Sequence, residues 1–260
     1  MALALPEPST DKLERSPLSL VVCQVRYEEN VAARDAKRAL RIHEAIEAQF
    51  PVLEEQAGQQ LTITAGPLGV QTLPAVQQRG WKMRSKDEHW NAVVMPDFYS
   101  LETTDYNDWV EFSARLEALT RAVAAAIEPT LEQRVGLRFI DRITHPDVRS
   151  PEDWTGWIDN AFLGPIAHER LGSGITSSQQ IVQIDAGEGR AMIVRHGAIK
   201  DPEAGGEWVY QFDQDCYVQR GRLFSADEVL AEAESLHTLA LQVFQEAITP
   251  DLYKYLKGNE

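Results

Sequence analysis

The sequence predicts an α+β fold of two tandem halves, each with the order strand, helix, three strands, helix. Three observations predict it: similar strands open the halves, similar segments close them, and the elements between follow the same order. We expect the strands to form antiparallel sheet covered by helices. The predicted boundaries are a flexible leader at residues 1–17, an N-terminal half at 18–132 and a C-terminal half at 133–260. The halves form either one continuous domain or two lobes, and a single sheet around one central helix is the alternative.

Each half opens with an apolar strand. Leu18–Tyr27 follows Pro17 and is rich in β-branched and apolar residues, which favours a buried strand. Residues 134–143 have the same character. Both strands contain an apolar-Arg-aromatic triplet, Val25-Arg26-Tyr27 in the first and Leu137-Arg138-Phe139 in the second. We therefore expect the two strands to occupy equivalent positions in the fold.

Each half is also predicted to end with a long helix. Thr104 and Ser225 are hydroxyl N-caps, and each precedes an acidic first turn and an apolar stripe. An Ala-Ile-x-Pro-x-Leu segment follows each helix, at residues 126–131 and 247–252. The matching caps and closing segments support the duplication.

The elements in between complete the predicted order. Helices are expected over residues 32–50 and about 151–162, the second with Pro151 at its first position after Ser150. Strands and hairpins are expected at residues 61–64, 70–73, 80–83 and 90–95 in the first half and at 180–184, 191–194 and 208–213 in the second.

Composition excludes several classes of protein. The 260 residues carry a formal net charge of −15, whereas a protein that coats nucleic acid or docks on an anionic membrane needs a basic surface. Cys23 and Cys216 are too few for a disulfide framework or a four-thiolate zinc site. The chain has neither a signal-peptide pattern nor 18 consecutive apolar residues. We expect a cytoplasmic protein that binds a protein partner. The negative charge of the chain favours a basic partner, and a homodimer is also possible.

Three motifs carry a family resemblance. They are Ser16-Pro17-Leu18, residues 97–103 leading to Tyr106, and residues 135–143, in that order. The pattern resembles a sporadically distributed family of uncharacterised bacterial proteins of about this length. The resemblance covers residues 16–256, although the family tends to Tyr-Ile-Asn where this chain has Phe139 to Asp141. The resemblance implies a bacterial, cytoplasmic protein that occurs sporadically, like the proteins that mobile elements and defence loci encode. It supplies no catalytic residue.

Residues 134–143 carry the most unusual chemistry. Alternation along a strand places Arg134, Arg138 and Arg142 on one face and Asp141 on the other. Arginines in line can bind an anionic ligand or an acidic partner segment through paired hydrogen bonds. They can equally pair with the chain's own carboxylates, for which the acid-rich helix after Ser225 is the expected source. We predict that Arg138 is largely buried at the seam between the halves and paired with a carboxylate.

Two further groups have alternative interpretations. Asp213 and Asp215 share one strand face and, with Asp141, could hold a proton or a divalent cation, or they form a solvated face. Trp154 and Trp157 lie three apart and either pack in the core or present an anchor to a partner.

The motifs of the common catalytic classes are missing from the sequence. Its six histidines lack metal-ligand spacing, Cys23 lies in an apolar strand, and the glycines at 172–174 lack a P-loop lysine. We therefore predict no cofactor and no metal. The sequence favours a non-enzymatic protein-interaction or regulatory protein of a bacterial accessory locus. The alternative is a ligand-binding or hydrolytic enzyme with its site between the halves, formed by Arg138, Arg142 and Asp141.

Overall fold

A computed structural model describes residues 3–60, 63–66, 69–72, 76–201 and 206–258, with the side chains of residues 58–78 excepted. These residues form helices and a nine-stranded antiparallel sheet, which confirms the α+β class. The strands are β1 (Leu18–Tyr27), β2 (Val52–Gln60), β3 (Ile63–Gly66), β4 (Gly69–Thr72), β5 (Val76–Arg84), β6 (Trp90–Val94), β7 (Phe98–Thr103), β8 (Leu131–Ile143), β9 (Gln180–Gly187), β10 (Arg190–Asp201) and β11 (Glu207–Leu223). The helices are α1 (Ala36–Ile46), α2 (Trp109–Ile127), α3 (Asn160–Leu163), α4 (Ala226–Ala247) and α5 (Pro250–Leu256).

The sheet runs through both predicted halves. Its strand order is β2-β5-β6-β7-β1-β8-β11-β10-β9, while β3 and β4 form a separate ribbon. The two opening strands, β1 and β8, pair with each other near the middle of the sheet, with Val22 opposite Arg138. The strands of the two halves therefore merge into one sheet.

The two faces of the sheet differ in what covers them. On β1, Val21, Cys23 and Val25 are fully buried, whereas the alternating Val22 and Gln24 are partly exposed. The buried side faces α2 and α4, which pack on β7, β8 and β11, and α1 packs on α2. The hydrophobic core thus lies between one face of the sheet and the helices.

Two helix predictions need correction. Residues 32–50 are not one helix: a 3-10 turn spans Val31–Arg34, and Asp35 then caps α1 by accepting a hydrogen bond from the Lys37 backbone N–H. Residues 151–162 form a 3-10 turn, Pro151–Trp154, and the short α3, because Gly156 between them has a left-handed φ of 94°.

The predicted N-cap residue is wrong for the first of the two closing helices and confirmed for the second. α2 starts at Trp109 with Asp108 as its cap rather than Thr104, because the Asp108 carboxylate accepts from the Glu111 N–H. α4 follows Ser225 as predicted, with the Ser225 hydroxyl accepting from the Glu228 N–H.

The predicted order of three strands does not hold for the first half, where the sequence itself indicates four strand segments. Between α1 and α2 the described residues form six strands, β2 to β7, of which β2 and β7 were not predicted. In the second half, β9, β10 and β11 match the predicted three. The segments predicted at 61–64 and 70–73 overlap β3 and β4, and Leu61, Thr62 and Leu73 lie outside the described residues.

Candidate functional site

One face of the sheet is free of packed helices in the described part of the chain, and we call it the uncovered face. Cross-strand register places its residues in rows, one of which runs through Glu102, Val22, Arg138, Asp215 and Ile193. Side chains in such a row project on the same side of the sheet. The uncovered face comprises Leu20, Val22, Gln24, Arg26, Glu102, Arg134, Arg138, Ile140, Arg142, Ile193, Arg195, Asp213, Asp215 and Tyr217.

Arg138 and Asp213 form the central ion pair of this face. The Arg138 Nε and Nη2 atoms donate to the two Asp213 carboxylate oxygens at 2.7 and 2.6 Å, a bidentate geometry. These hydrogen bonds raise the pKa of Arg138. The predicted carboxylate partner is confirmed, but the predicted burial is wrong: 43% of the Arg138 side chain is exposed, against 3% for Asp213. No helix of the described residues packs on this side of β1 and β8, so the guanidinium reaches solvent.

Arg134 lies flat on the same face. It donates to Asp215 at 2.8 Å, and its guanidinium lies over the Tyr217 ring, 4.8 Å from the centroid. Gly136 permits this arrangement, because a Cβ at that position would collide with the Arg134 guanidinium. Asp213 and Asp215 thus share a strand face, as predicted, with each carboxylate directed at an arginine.

The other arginines of the face also meet carboxylates. Arg142 pairs with Asp201, and Arg26 donates to Asp97 at 2.6 Å. Arg195 differs, because its side chain makes no hydrogen bond with the described residues, and the nearest carboxylate oxygen, on Asp213, is 3.8 Å away. Since both Asp213 oxygens already accept from Arg138, the N–H groups of Arg195 are available for a further acceptor.

A cleft of about 330 Å³ lies beside Arg195. Gln211, Ile181 and Ile199 line it together with Gly197, where a side chain would collide with the Ser178 backbone. Sequence reasoning missed both Arg195 and this cleft. The available signal was the glycine that interrupts the apolar residues of β10.

The acids of α4 pair with arginines other than those predicted. Glu232 accepts from Arg220 at 3.0 Å and from Arg190 at 3.1 Å, and Arg222 bridges to Glu132 at 3.1 Å. We call these five residues the helix–sheet cluster. Arg134, Arg138 and Arg142 cannot take part, because α4 covers the opposite face of the sheet. The expectation that α4 neutralises the arginine strand is therefore wrong.

Asp141 also lies on the helix-covered face, where it is almost fully buried. Burial, with a smaller contribution from the negative charge of Asp213, raises the pKa of this carboxyl to about 8. Asp141 and the arginines project from opposite faces of β8, as alternation predicted. The acid cluster of Asp141 with Asp213 and Asp215 therefore does not form.

The two tryptophans have different surroundings. Trp154 is fully buried and meets the Tyr210 ring edge-on at 5.6 Å, so it belongs to the core and presents no surface to a partner. Trp157 is partly buried against His145, with ring centroids 3.8 Å apart, and His145 in turn contacts Tyr255. Neither indole lies on the uncovered face.

Neither cysteine is an accessible thiol, and the described residues hold no cluster of metal ligands. Both cysteines are fully buried, and burial raises the pKa of Cys23 to about 12 and that of Cys216 well above its ordinary value. No group of three or more His, Cys, Asp or Glu side chains in the described ranges is placed to hold a metal ion. In the same ranges, every helix is too short or too polar to cross a membrane.

No protein-family model matches the chain, and a search of curated proteins found no match. The resemblance to a sporadic bacterial family therefore stays a prediction. Fold and site define the molecule as an α+β protein with one helix-covered and one uncovered, charge-paired sheet face.

Proposed function

We propose that this chain is a non-enzymatic binding protein that docks a protein partner on the uncovered face of its sheet. The observation that carries the proposal is a nine-stranded sheet with helices on a single side in the described residues. Val22, Ile140 and Ile193 lie among the ion pairs of this face and are partly exposed. Apolar residues set between arginines and an aromatic ring are typical of protein–protein interfaces.

The ion pairs favour binding through preorganisation. Asp213 holds Arg138 in a fixed bidentate orientation, and Asp215 with Tyr217 holds Arg134. An arginine that is already ordered loses less side-chain entropy when a partner docks. Arg195 adds uncommitted N–H donors beside the cleft. Arginine and tyrosine are also the residue types most enriched among interface hot spots.

The charge of the chain supports a basic partner. A net charge of −15 attracts a basic protein from solution and raises its association rate, an effect that salt weakens. The uncovered face itself carries five arginines and three carboxylates, and Asp97 and Asp201 pair with two of those arginines, so complementarity of shape and apolar contact would hold the docked complex. A cytoplasmic location and a role as partner or regulator in a bacterial accessory locus belong to the same proposal, and the family resemblance supports them.

We do not advance the enzyme alternative. It needs Arg138, Arg142 and Asp141 in one site, but Asp141 and the two arginines lie on opposite faces of β8. An active site requires its polar groups to converge in a cleft.

We further infer that the sheet arose from two duplicated halves related by a pseudo-two-fold axis between β1 and β8. Outward from β1 lie β7, β6 and β5, and outward from β8 lie β11, β10 and β9, so that the last strand of each half flanks its first. Arg26 and Arg138, from the repeated triplet, both lie on the uncovered face. Superposition of β1, β5–β7 and α2 on β8–β11 and α4 tests this inference, and helices on different sides of the superposed strands would contradict it.

The docking proposal is tested by substituting an apolar residue of the face. Ile193→Asp places a charge on the β10 part of the uncovered face, opposite Asp215, and Val110→Asp is the matched control on the solvent side of α2, where Val110 is exposed. We expect a partner that co-purifies with the chain in its native host to be lost with Ile193→Asp, by about tenfold or more in affinity. The control should retain it. Equal retention by both variants would overturn the proposal.

A further inference from the structure

We infer that two copies of this chain pair through β9, joining their sheets edge to edge. In the described residues β9 is the last strand of the sheet and pairs with β10 alone. The contact uses the free backbone edge of β9 and not the uncovered face as a surface, so the inference does not depend on the docking proposal.

The outer edge of β9 is open to solvent. Ile181 is 73% exposed and Val182 41%, and Gln183 beside them is exposed as well. Neighbouring residues of a strand point to opposite faces, so consecutive exposed residues mean that both faces and the free edge are accessible. An apolar strand of this kind offers unpaired backbone N–H and C=O groups to another strand.

The opposite edge of the sheet is protected by charge. β2 carries Glu54 and Glu55, whose carboxylates pair with Arg84 at 2.6 Å and with Arg79. Charged side chains are a common device against edge-to-edge association. β9 carries one charge in eight residues, Asp185. The sheet therefore has one protected edge and one bare edge.

The sequence of β9 is compatible with itself in an antiparallel pair centred on Val182. In this register Val182 faces Val182 of the second copy, Ile181 faces Gln183, and Asp185 faces Gln179. The two Asp185 carboxylates lie at opposite ends of the pair, so like charges do not meet. Centring the pair on Gln183 instead would place Asp185 against Ile181. The favoured register also keeps residues of the same sheet face opposite one another.

Such a contact produces a closed dimer, because it uses the one bare edge of each copy. A two-fold axis perpendicular to the sheets uses the bare edge of each copy, and the protected β2 edges remain outside. The resulting sheet is twice as wide, and its two uncovered faces point the same way. Because each copy carries a charge of −15, added salt should strengthen the dimer by screening their repulsion.

Disulfide cross-linking tests the register. Val182→Cys brings two thiols together at the two-fold axis, within the separation that a disulfide needs. Leu223→Cys is the control, because Leu223 is even more exposed than Val182, at 73% against 41%, but lies at the end of β11. The native Cys23 and Cys216 are fully buried and should not react. We expect mild oxidation to give a covalent dimer of Val182→Cys alone; no cross-link, or equal cross-linking of both variants, would overturn the inference.

Sedimentation of the uncross-linked protein tests the association itself. We expect the unmodified chain to sediment as a dimer and Val182→Lys, which sets two charges face to face, to dissociate at least about tenfold more readily. Val110→Lys should remain dimeric, and equal thermal midpoints of the two variants would show that both fold. A wild-type chain that stays monomeric, or that joins a foreign chain at Val182 instead of a second copy, would contradict the inference.

Discussion

Two ion-pair clusters lie on opposite sides of the same sheet and consist of the same residue types, arginines and carboxylates, but they have different roles. In the helix–sheet cluster, the carboxylates of Glu132 on β8 and Glu232 on α4 are buried between the helix and the sheet, and their arginines are mostly buried. On the uncovered face Asp213 is just as buried, but Arg138 and Arg195 reach solvent. A helix above the sheet thus decides whether an arginine serves the fold alone or remains available to a partner.

The comparison predicts that losing a buried ion pair lowers the free energy of unfolding much more than losing an exposed one. Arg222→Met removes the partner of Glu132, which is fully buried and whose pKa burial already raises. Losing one member of a buried pair costs roughly 3 kcal/mol, because the other is left without compensation. Urea unfolding of this variant should show that loss. Arg121→Met breaks exposed pairs on α2 and should cost less than about 1 kcal/mol; equal costs would contradict the contrast.

The pH dependence of stability should follow Asp141 on the covered side of β8. Burial raises its folded-state pKa to about 8, above the unfolded value near 3.8, so the folded protein binds the extra proton. Stability therefore falls as pH rises from about 4 to 8. Asp141→Asn removes this dependence and should melt several degrees above the unmodified chain at pH 8, with the gap shrinking towards pH 5. A gap that does not change with pH would contradict this assignment.

Arg138→Ala should have an intermediate effect. Asp213 loses its bidentate partner but keeps Arg195 nearby and some access to water through the vacated space. We expect a loss of about 1–2 kcal/mol in unfolding free energy, less than the full burial predicted from sequence would have implied. Arg149→Ala, a peripheral change, should leave the thermal midpoint nearly unchanged. Equal midpoints for the two variants would show that the Arg138 pair contributes nothing to the fold.

Arg195→Ala should have the smallest effect on stability and a large one on binding. Its side chain makes no hydrogen bond with the described residues, so the unfolding free energy should change by less than about 0.5 kcal/mol. The partner's affinity should nevertheless fall by about tenfold. Calorimetric titration of the purified partner, alongside urea unfolding, checks both; a destabilised variant with unchanged affinity would reverse the assignment.

Sequence patterns located the elements whose signals are local. β1 matches its predicted bounds, because Pro17 precedes it and the apolar run defines its length. α4 begins after the predicted Ser225 cap. β2 was missed because an edge strand with Glu54 and Glu55 shows little apolar periodicity. The helix predicted at 151–162 failed because Gly156 interrupts a periodic apolar pattern.

The candidate site was predictable only in part. Alternation along one strand was enough to group Arg134, Arg138 and Arg142 and to separate Asp141 from them. Their carboxylate partners depend on the register of β8 against β11, which unites residues far apart in the chain. Which face stays uncovered depends on where α2 and α4 pack, and Arg195 joins the site through that long-range arrangement.

Site-specific photo-cross-linking in the native host tests the central claim most directly. A photoreactive amino acid at Val22, in the middle of the uncovered face, should capture the partner on irradiation. The same residue at Val110, on the solvent side of α2, should capture nothing above background. Capture from Val22 alone is the result that the account predicts. Capture from Val110, or from neither position while the partner still co-purifies, would contradict it.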